Sequence, residues 1–170
     1  MHLTHSLASA ILILTVSAVW HDGSAARGAA PGDDATLSPA TIEQAILATN
    51  AEMIAAANRL DVDAFFSFIV DTDKGMIVQN GVIFPTRRDA YEAVKRGLQG
   101  VATIDRRLEN PQITLIDEGT ALLVANGIMD ATLQDGRQLH SRFAVSLVWV
   151  RRDGRWMVLH GHYSMLPERS

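Results

Sequence analysis

No cysteine occurs in the 170 residues. That excludes disulfides, thiolate metal sites, cysteine nucleophiles and lipid attachment through a thiol. An excess of positive charge is missing as well. The 15 Lys and Arg stand against 19 Asp and Glu, a formal charge of −4, so no basic field exists to hold a nucleic-acid backbone. Nor is the chain poor in apolar residues, as chains that stay unfolded are: 48% are hydrophobic and 20% charged. What remains is one compact acidic domain with a tail, since domains run to roughly 100–150 residues. Its chemistry rests on carboxylates, His, Tyr and Arg.

No run is long enough to span a membrane. The apolar stretch from Leu7 to Trp20 has 14 residues, and a span needs about 20. An export signal needs an apolar stretch of about 7–15 residues and small residues before the cut. Ser24-Ala25-Ala26 supplies one such site and Gly28-Ala29-Ala30 another, although His2 and His5 stand where a signal carries Lys or Arg. Residues 1–26 are therefore expected to be a signal peptide, 27–37 a flexible linker and 38–167 the domain, in a periplasmic or secreted protein.

Ser38-Pro39 reads as a helix start, a hydroxyl cap followed by proline at the first helical position. Ile42, Ile46, Met53, Ala57 and Leu60 then recur at helical spacing. Asn58 to Asp61 closes that helix, and Val62 to Val70 is expected as a second, short one. Met76–Gln79 and Val82–Phe84 flank Asn80-Gly81, the dipeptide of a type I′ hairpin. Thr86-x-x-Asp89 resembles a capping box for a third helix through Leu98. Beyond it the period changes to that of strands: Arg107–Ile116, Thr120–Leu133, Arg137–Val150 and Arg155–Ser164, each separated by a loop that ends in glycine. Helices followed by an antiparallel meander make an α+β domain, with the helices on one sheet face.

If Gln134–Gly136 and Arg152–Gly154 are three-residue loops, Leu133 faces Arg137 and Arg151 faces Arg155. One face then collects Leu123, Ala125, Gly127, Met129, Phe143, Val145, Leu147, Trp149, Met157, Leu159, Gly161 and Tyr163, and lies under the helices. The other collects Asn126, Ile128, Asp130, Arg142, Ala144, Ser146, Val148, Trp156, Val158, His160, His162 and Ser164. That face is mixed, as a subunit interface is. Gly127 and Gly161 on the covered face predict a curved sheet with a hollow beneath the helices.

Three motifs carry a resemblance: Asn58-x-x-Asp61 with Asp63-Ala64-Phe65, Asn110-Pro111, and Val148-Trp149-x-Arg151-Arg152-Asp153-Gly154-Arg155-Trp156 leading to His160-x-His162-x-Ser164. Over residues 38 to 167 the chain resembles the nuclear transport factor 2-like superfamily, in its SnoaL-like branch. It is also similar to the association domain of calcium/calmodulin-dependent protein kinase II. The resemblance implies a cone-shaped curved sheet around the helices, a pocket inside it and a dimer through the outer face. It implies no reaction, because the fold hosts isomerases, cyclases, dehydratases, binding modules and assembly hubs.

Acid–base chemistry in such a pocket needs a carboxylate or His with a pKa moved toward neutrality. The positions where the isomerase pattern puts its base and its tyrosine fall near Ile77–Gln79 and Met53, which do not match. Asp71 and Asp73 are weak catalytic candidates, with Asp105 a further one if it turns inward. The kinase hub's pocket arginines match Gly127, Leu147 and Tyr163, and its histidine matches Tyr91, so an anionic ligand loses those partners. Arg87, Arg88, Arg106 and Arg107 read as solvated ion pairs with Asp89 and Asp105. His140 and Asp130 fall opposite each other, but His160 and His162 lie too far from them to share an ion, so neither metal nor cofactor is expected.

The expectation is an exported dimer binding a small, largely apolar molecule without converting it. Its site would comprise Asn50, Tyr91, Gly127, Met129, Phe143, Leu147 and Tyr163. The homodimer would use the outer face of His160, His162, Trp156 and Val158. An isomerase, cyclase or dehydratase with an Asp base is the alternative from another class, and a structural assembly module with a filled core is the third.

Overall fold

The computed structural model describes residues 38–74 and 76–166. The expected signal peptide and linker lie outside the described residues. Helix α1 (Pro39–Asn58) opens as expected, with the Ser38 hydroxyl accepting the Thr41 amide at 3.3 Å and Pro39 at the first position. Ile42, Ile46, Asn50, Met53, Ala56 and Ala57 form its buried face. It ends on Leu60, whose φ of 61° lets the Leu60 and Asp61 amides reach back to the Ala57 and Ala56 carbonyls. Asp61 then caps α2 (Val62–Phe66), its carboxylate accepting the Ala64 amide at 2.9 Å.

The second helix is shorter than its apolar sequence predicts. A single bridge at Ile69 replaces the helix there: Val158 donates its amide to the Phe68 carbonyl, and Val70 donates to that of Val158. Two tertiary hydrogen bonds outweigh the helical preference of a four-residue extension. A hairpin follows, β1 (Ile77–Gln79) and β2 (Val82–Phe84), with Asn80 and Gly81 both at positive φ as a type I′ turn requires. Helix α3 (Arg87–Gly97) opens on the expected box, in which the Asp89 amide donates to the Thr86 hydroxyl and that hydroxyl donates to the Asp89 carboxylate.

Four long strands complete one six-stranded, curved, unclosed sheet: β3 (Val101–Asp117), β4 (Thr120–Leu133), β5 (Gln138–Arg152) and β6 (Arg155–Met165), in the order β2-β1-β6-β5-β4-β3. Strand β1 runs parallel to β6 and every other pairing is antiparallel. Strand β3 begins six residues earlier than its sequence suggests and carries an irregularity at Asn110-Pro111, where Asn110 sits at φ 47°. Proline has no amide to donate, and an edge strand tolerates that loss.

Leu133 faces Arg137 across a three-residue loop, as expected. The next loop differs. Arg152 pairs with Arg155 across two residues, Asp153-Gly154, which adopt the positive φ values of a type I′ turn. That shift of one residue turns Trp156 and Val158 to the covered face, where they are 6% and 2% exposed. A bulge at Leu159, between the pairs Trp149–Val158 and Val148–His160, then restores the expected alternation. Trp156 and Val158 therefore belong to the core, while His160 and His162 keep the outer face.

The hollow expected beside the glycines is also corrected. Gly127 and Phe143 are directly opposed on β4 and β5. The Phe143 ring lies across the glycine, so an added Cβ would come within 2.2 Å of it. At Gly161 an added Cβ would meet Leu147 and Tyr163 side-chain atoms at 3.2 Å. The missing side chains are replaced by their neighbours' rings and methyls, not by space. Gly127→Ala is accordingly expected to destabilise the domain by about 1–3 kcal/mol, the usual cost of overpacking. Urea unfolding of the purified domain checks it, and unchanged stability would show that Phe143 can turn away freely.

Candidate functional site

Among the described residues, a small cavity lies between α1 and the covered sheet face. Asn50, Met53 and Ile54 reach it from α1 and Phe65 from α2. Arg106 and Leu108 line it from β3, Val145 and Leu147 from β5, and Tyr163 from β6. Its volume is about 10 Å3, the room of roughly one water molecule. Ile54 and Leu108, both only partly buried, form its solvent side.

Arg106 is the unexpected member. It is 6% exposed, and its guanidinium carbon lies 4.8 Å from the Phe143 ring centre and 5.0 Å from that of Tyr163. Each such cation–π contact contributes up to about 2 kcal/mol when desolvated. No carboxylate pairs with it among the described residues, and its Nε has no hydrogen-bond partner. Asn50, 5% exposed, leaves its Oδ1 without a partner on the same cavity wall. The position of Arg106 is set by Asn58. The Asn58 carboxamide accepts the Arg106 amide at 2.8 Å and donates to the Arg106 carbonyl at 3.0 Å.

Arg106 is thus no solvated ion-pair residue, and neither is Arg87, whose guanidinium donates twice to the Phe66 carbonyl. The signal for Arg106 lies in β3 itself. Once that strand begins at Val101, Ile104, Arg106 and Leu108 alternate onto one face, and both neighbours are apolar. A strand begun at Arg107 hides this.

Of the residues expected to line a pocket, Asn50, Leu147 and Tyr163 do so. Phe143 supports Arg106 with its ring, Gly127 lies beneath Phe143, and Met129 is buried opposite Arg106 on β4. Tyr91 is elsewhere: it packs edge-on against Phe66 and donates its hydroxyl to Asp63 at 3.0 Å. Burial, with Asp63 as acceptor, raises its phenol pKa above the ordinary value. Asp71, Asp73 and Asp105 are exposed, so none turns into the cone.

On the outer face a chain of charges crosses three strands. Asp105 and Asp130 both accept from Arg107, at 2.7 and 3.0 Å, and His140 Nδ1 donates to Asp130 at 2.6 Å. A shallow groove of about 420 Å3 runs beside it. These groups satisfy one another in the open, whereas the cone cavity holds polar atoms that nothing satisfies. We therefore place the site in the cone. Among the described residues no group of three His, Asp or Glu side chains is arranged to hold a metal ion.

The sequence model of the SnoaL-like domain matches residues 46–168. No curated protein matches the chain. Among solved structures, a nuclear transport factor 2 superfamily protein from Salmonella enterica is 15% identical, with a TM-score of 0.69 over 78% of this chain and 96% of that one. The association domain of the C. elegans kinase CaMKII is 17% identical, with a TM-score of 0.59 over 72% and 95%. A hexachlorocyclohexane dehydrochlorinase is 12% identical, with a TM-score of 0.63 over 74% and 86%. All three are likenesses of fold.

The hydrogen bonds from His140 and Arg107 hold the Asp130 carboxyl below the ordinary aspartate pKa. A depressed carboxylate pKa stabilises the fold above the unfolded value, and that contribution is lost as pH falls through the folded one. Carboxyl-carbon NMR should give Asp130 a midpoint below 3.8, and His140→Ala should raise it. An unmoved midpoint in the variant would remove the histidine as the cause.

Proposed function

The chain belongs to the SnoaL-like family, and on that footing we propose that it is an exported, dimeric domain whose cone binds a small, largely apolar molecule without converting it. The carrying observation is the cavity wall. Seven of its nine residues are apolar or aromatic, and its polar groups are Asn50, Arg106 and the Tyr163 hydroxyl. Proton-transfer chemistry needs a base at the reacting centre, and no carboxylate or imidazole lines this wall. The dehydrochlorinase among the fold's relatives keeps an enzymatic role as the rival, but Asp71 and Asp73 face solvent. Binding requires Met53, Ile54 and Leu108 to turn aside, since the void itself is small.

The CaMKII association domain supports assembly as part of the function. The outer face offers Val124, Ala144, Ser146, Val148, His160 and His162, with Val124 43% exposed. That mixture suits a two-fold interface. Native mass spectrometry of protein purified from its own host should report a dimer that retains a small molecule, with a chain beginning near Arg27 or Pro31. A periplasmic chain that still begins at Met1 would refute the processing. Val148→Asp should yield a folded monomer, because an unpaired carboxylate buried in an interface costs several kcal/mol, roughly. Light scattering checks this, and a wild type that is monomeric at micromolar concentration would end the dimer proposal.

A further inference from the structure

We propose that the ligand of the cone is an organic monoanion, a carboxylate on an apolar body, and that Arg106 is the residue that anchors it. The inference deepens the binding function proposed above and rests on it. A guanidinium removed from water is costly unless an anion meets it. Arg106 is 94% buried, as its 6% exposure gives, and its stacking on Phe143 and Tyr163 satisfies only the faces of the guanidinium plane. The donors lie around the edge of that plane, and Nε lacks an acceptor. A carboxylate supplies acceptors at that edge, in the fork geometry that arginine matches best. Only one cation lines the cavity, so one negative charge balances it. The apolar remainder of the wall then selects the body of the ligand: Met53, Ile54, Phe65 and Leu108 have nothing polar to offer. Asn50 Oδ1, the other unsatisfied atom on this cavity wall, accepts a hydroxyl or N–H borne by the same molecule.

Were Arg106 a structural residue, the two rings and the Asn58 clamp would be its purpose, and its charge would be incidental. The two roles predict opposite behaviour. A charge kept for a ligand sets the preference for acids over amides, whereas a packing element leaves it unchanged. The test uses the mature chain, with octanoate and 3-phenylpropionate as probes, each against its primary amide, read by titration calorimetry and thermal melting. Wild type should bind each acid about ten- to a hundredfold more tightly than its amide, the range of a charge-assisted hydrogen bond. Arg106→Met preserves the length of the side chain and removes the charge. It should bring that ratio to about one and lose the rise in Tm that the acids give. Arg106→Lys should recover part of the preference.

Amides that bind wild type as well as the acids would overturn the anion anchor and leave the apolar cone site standing. Failure of both acids and amides to bind would overturn the cone site and the anchor together. An Arg106→Met protein with a lowered Tm and an undiminished preference for acids would make Arg106 a packing residue.

Discussion

Two hydrogen bonds between the Asn58 carboxamide and the backbone of Arg106 join the end of α1 to the edge of the sheet. Strand β3 is an outer strand, paired on one side with β4, so its amide and carbonyl at Arg106 would otherwise have no strand to meet. Asn58 satisfies both. The clamp closes the helix over the concave face, fixes which β3 residue lies opposite Asn50, and leads directly into the Leu60 turn and the Asp61 cap that launch α2. The Asn58-x-x-Asp61 motif thereby acquires a physical meaning. Its first residue docks α1 and its last begins the next helix.

Beneath that clamp, glycine and aromatic residues work as pairs. Gly127 yields its side-chain volume to Phe143, and Gly161 yields to Leu147 and Tyr163. Phe143 and Tyr163, 6.4 Å apart, in turn hold the guanidinium of Arg106. The interior is consequently well packed, with a cavity at the margin rather than an open chamber. A buried positive charge in such a wall, in a chain of net charge −4, is the feature on which the proposed anion site rests.

The outer face follows a different rule. Its charges at Asp105, Arg107, Asp130 and His140 neutralise one another near one end of the meander. Val124 and Val148 lie apart from them on the same face. Exposed ion pairs contribute little to stability, but they keep that end of the face hydrated. On β6 a bulge at Leu159 sorts the two faces. It lets β6 place Trp156 and Val158 in the core and, two residues later, His160 on the surface.

Much of this protein was legible in its residues alone. Ser38-Pro39, Thr86-x-x-Asp89, Asn80-Gly81 and the glycine-ended loops act through local sterics and hydrogen bonds, so they mark helix starts and turns without reference to the rest of the chain. Strict alternation along β4 and β5 assigned their two faces, because a strand's side chains change face at every residue. Asn50 was legible from the apolar face of α1, and Leu147 and Tyr163 from the resemblance to the kinase hub's pocket. Tertiary structure decided the remainder. Asp153-Gly154 is itself a local type I′ signal, but where β6 bulges to compensate for the two-residue turn shows only in its pairing with β5. Whether Gly127 leaves a hollow depends on the ring opposite it. The fate of Arg106 depends on a strand that starts earlier than its own apolar pattern suggests and on an asparagine 48 residues away. Local signals determine which elements form; which side chain fills the space between them is settled only when those elements meet.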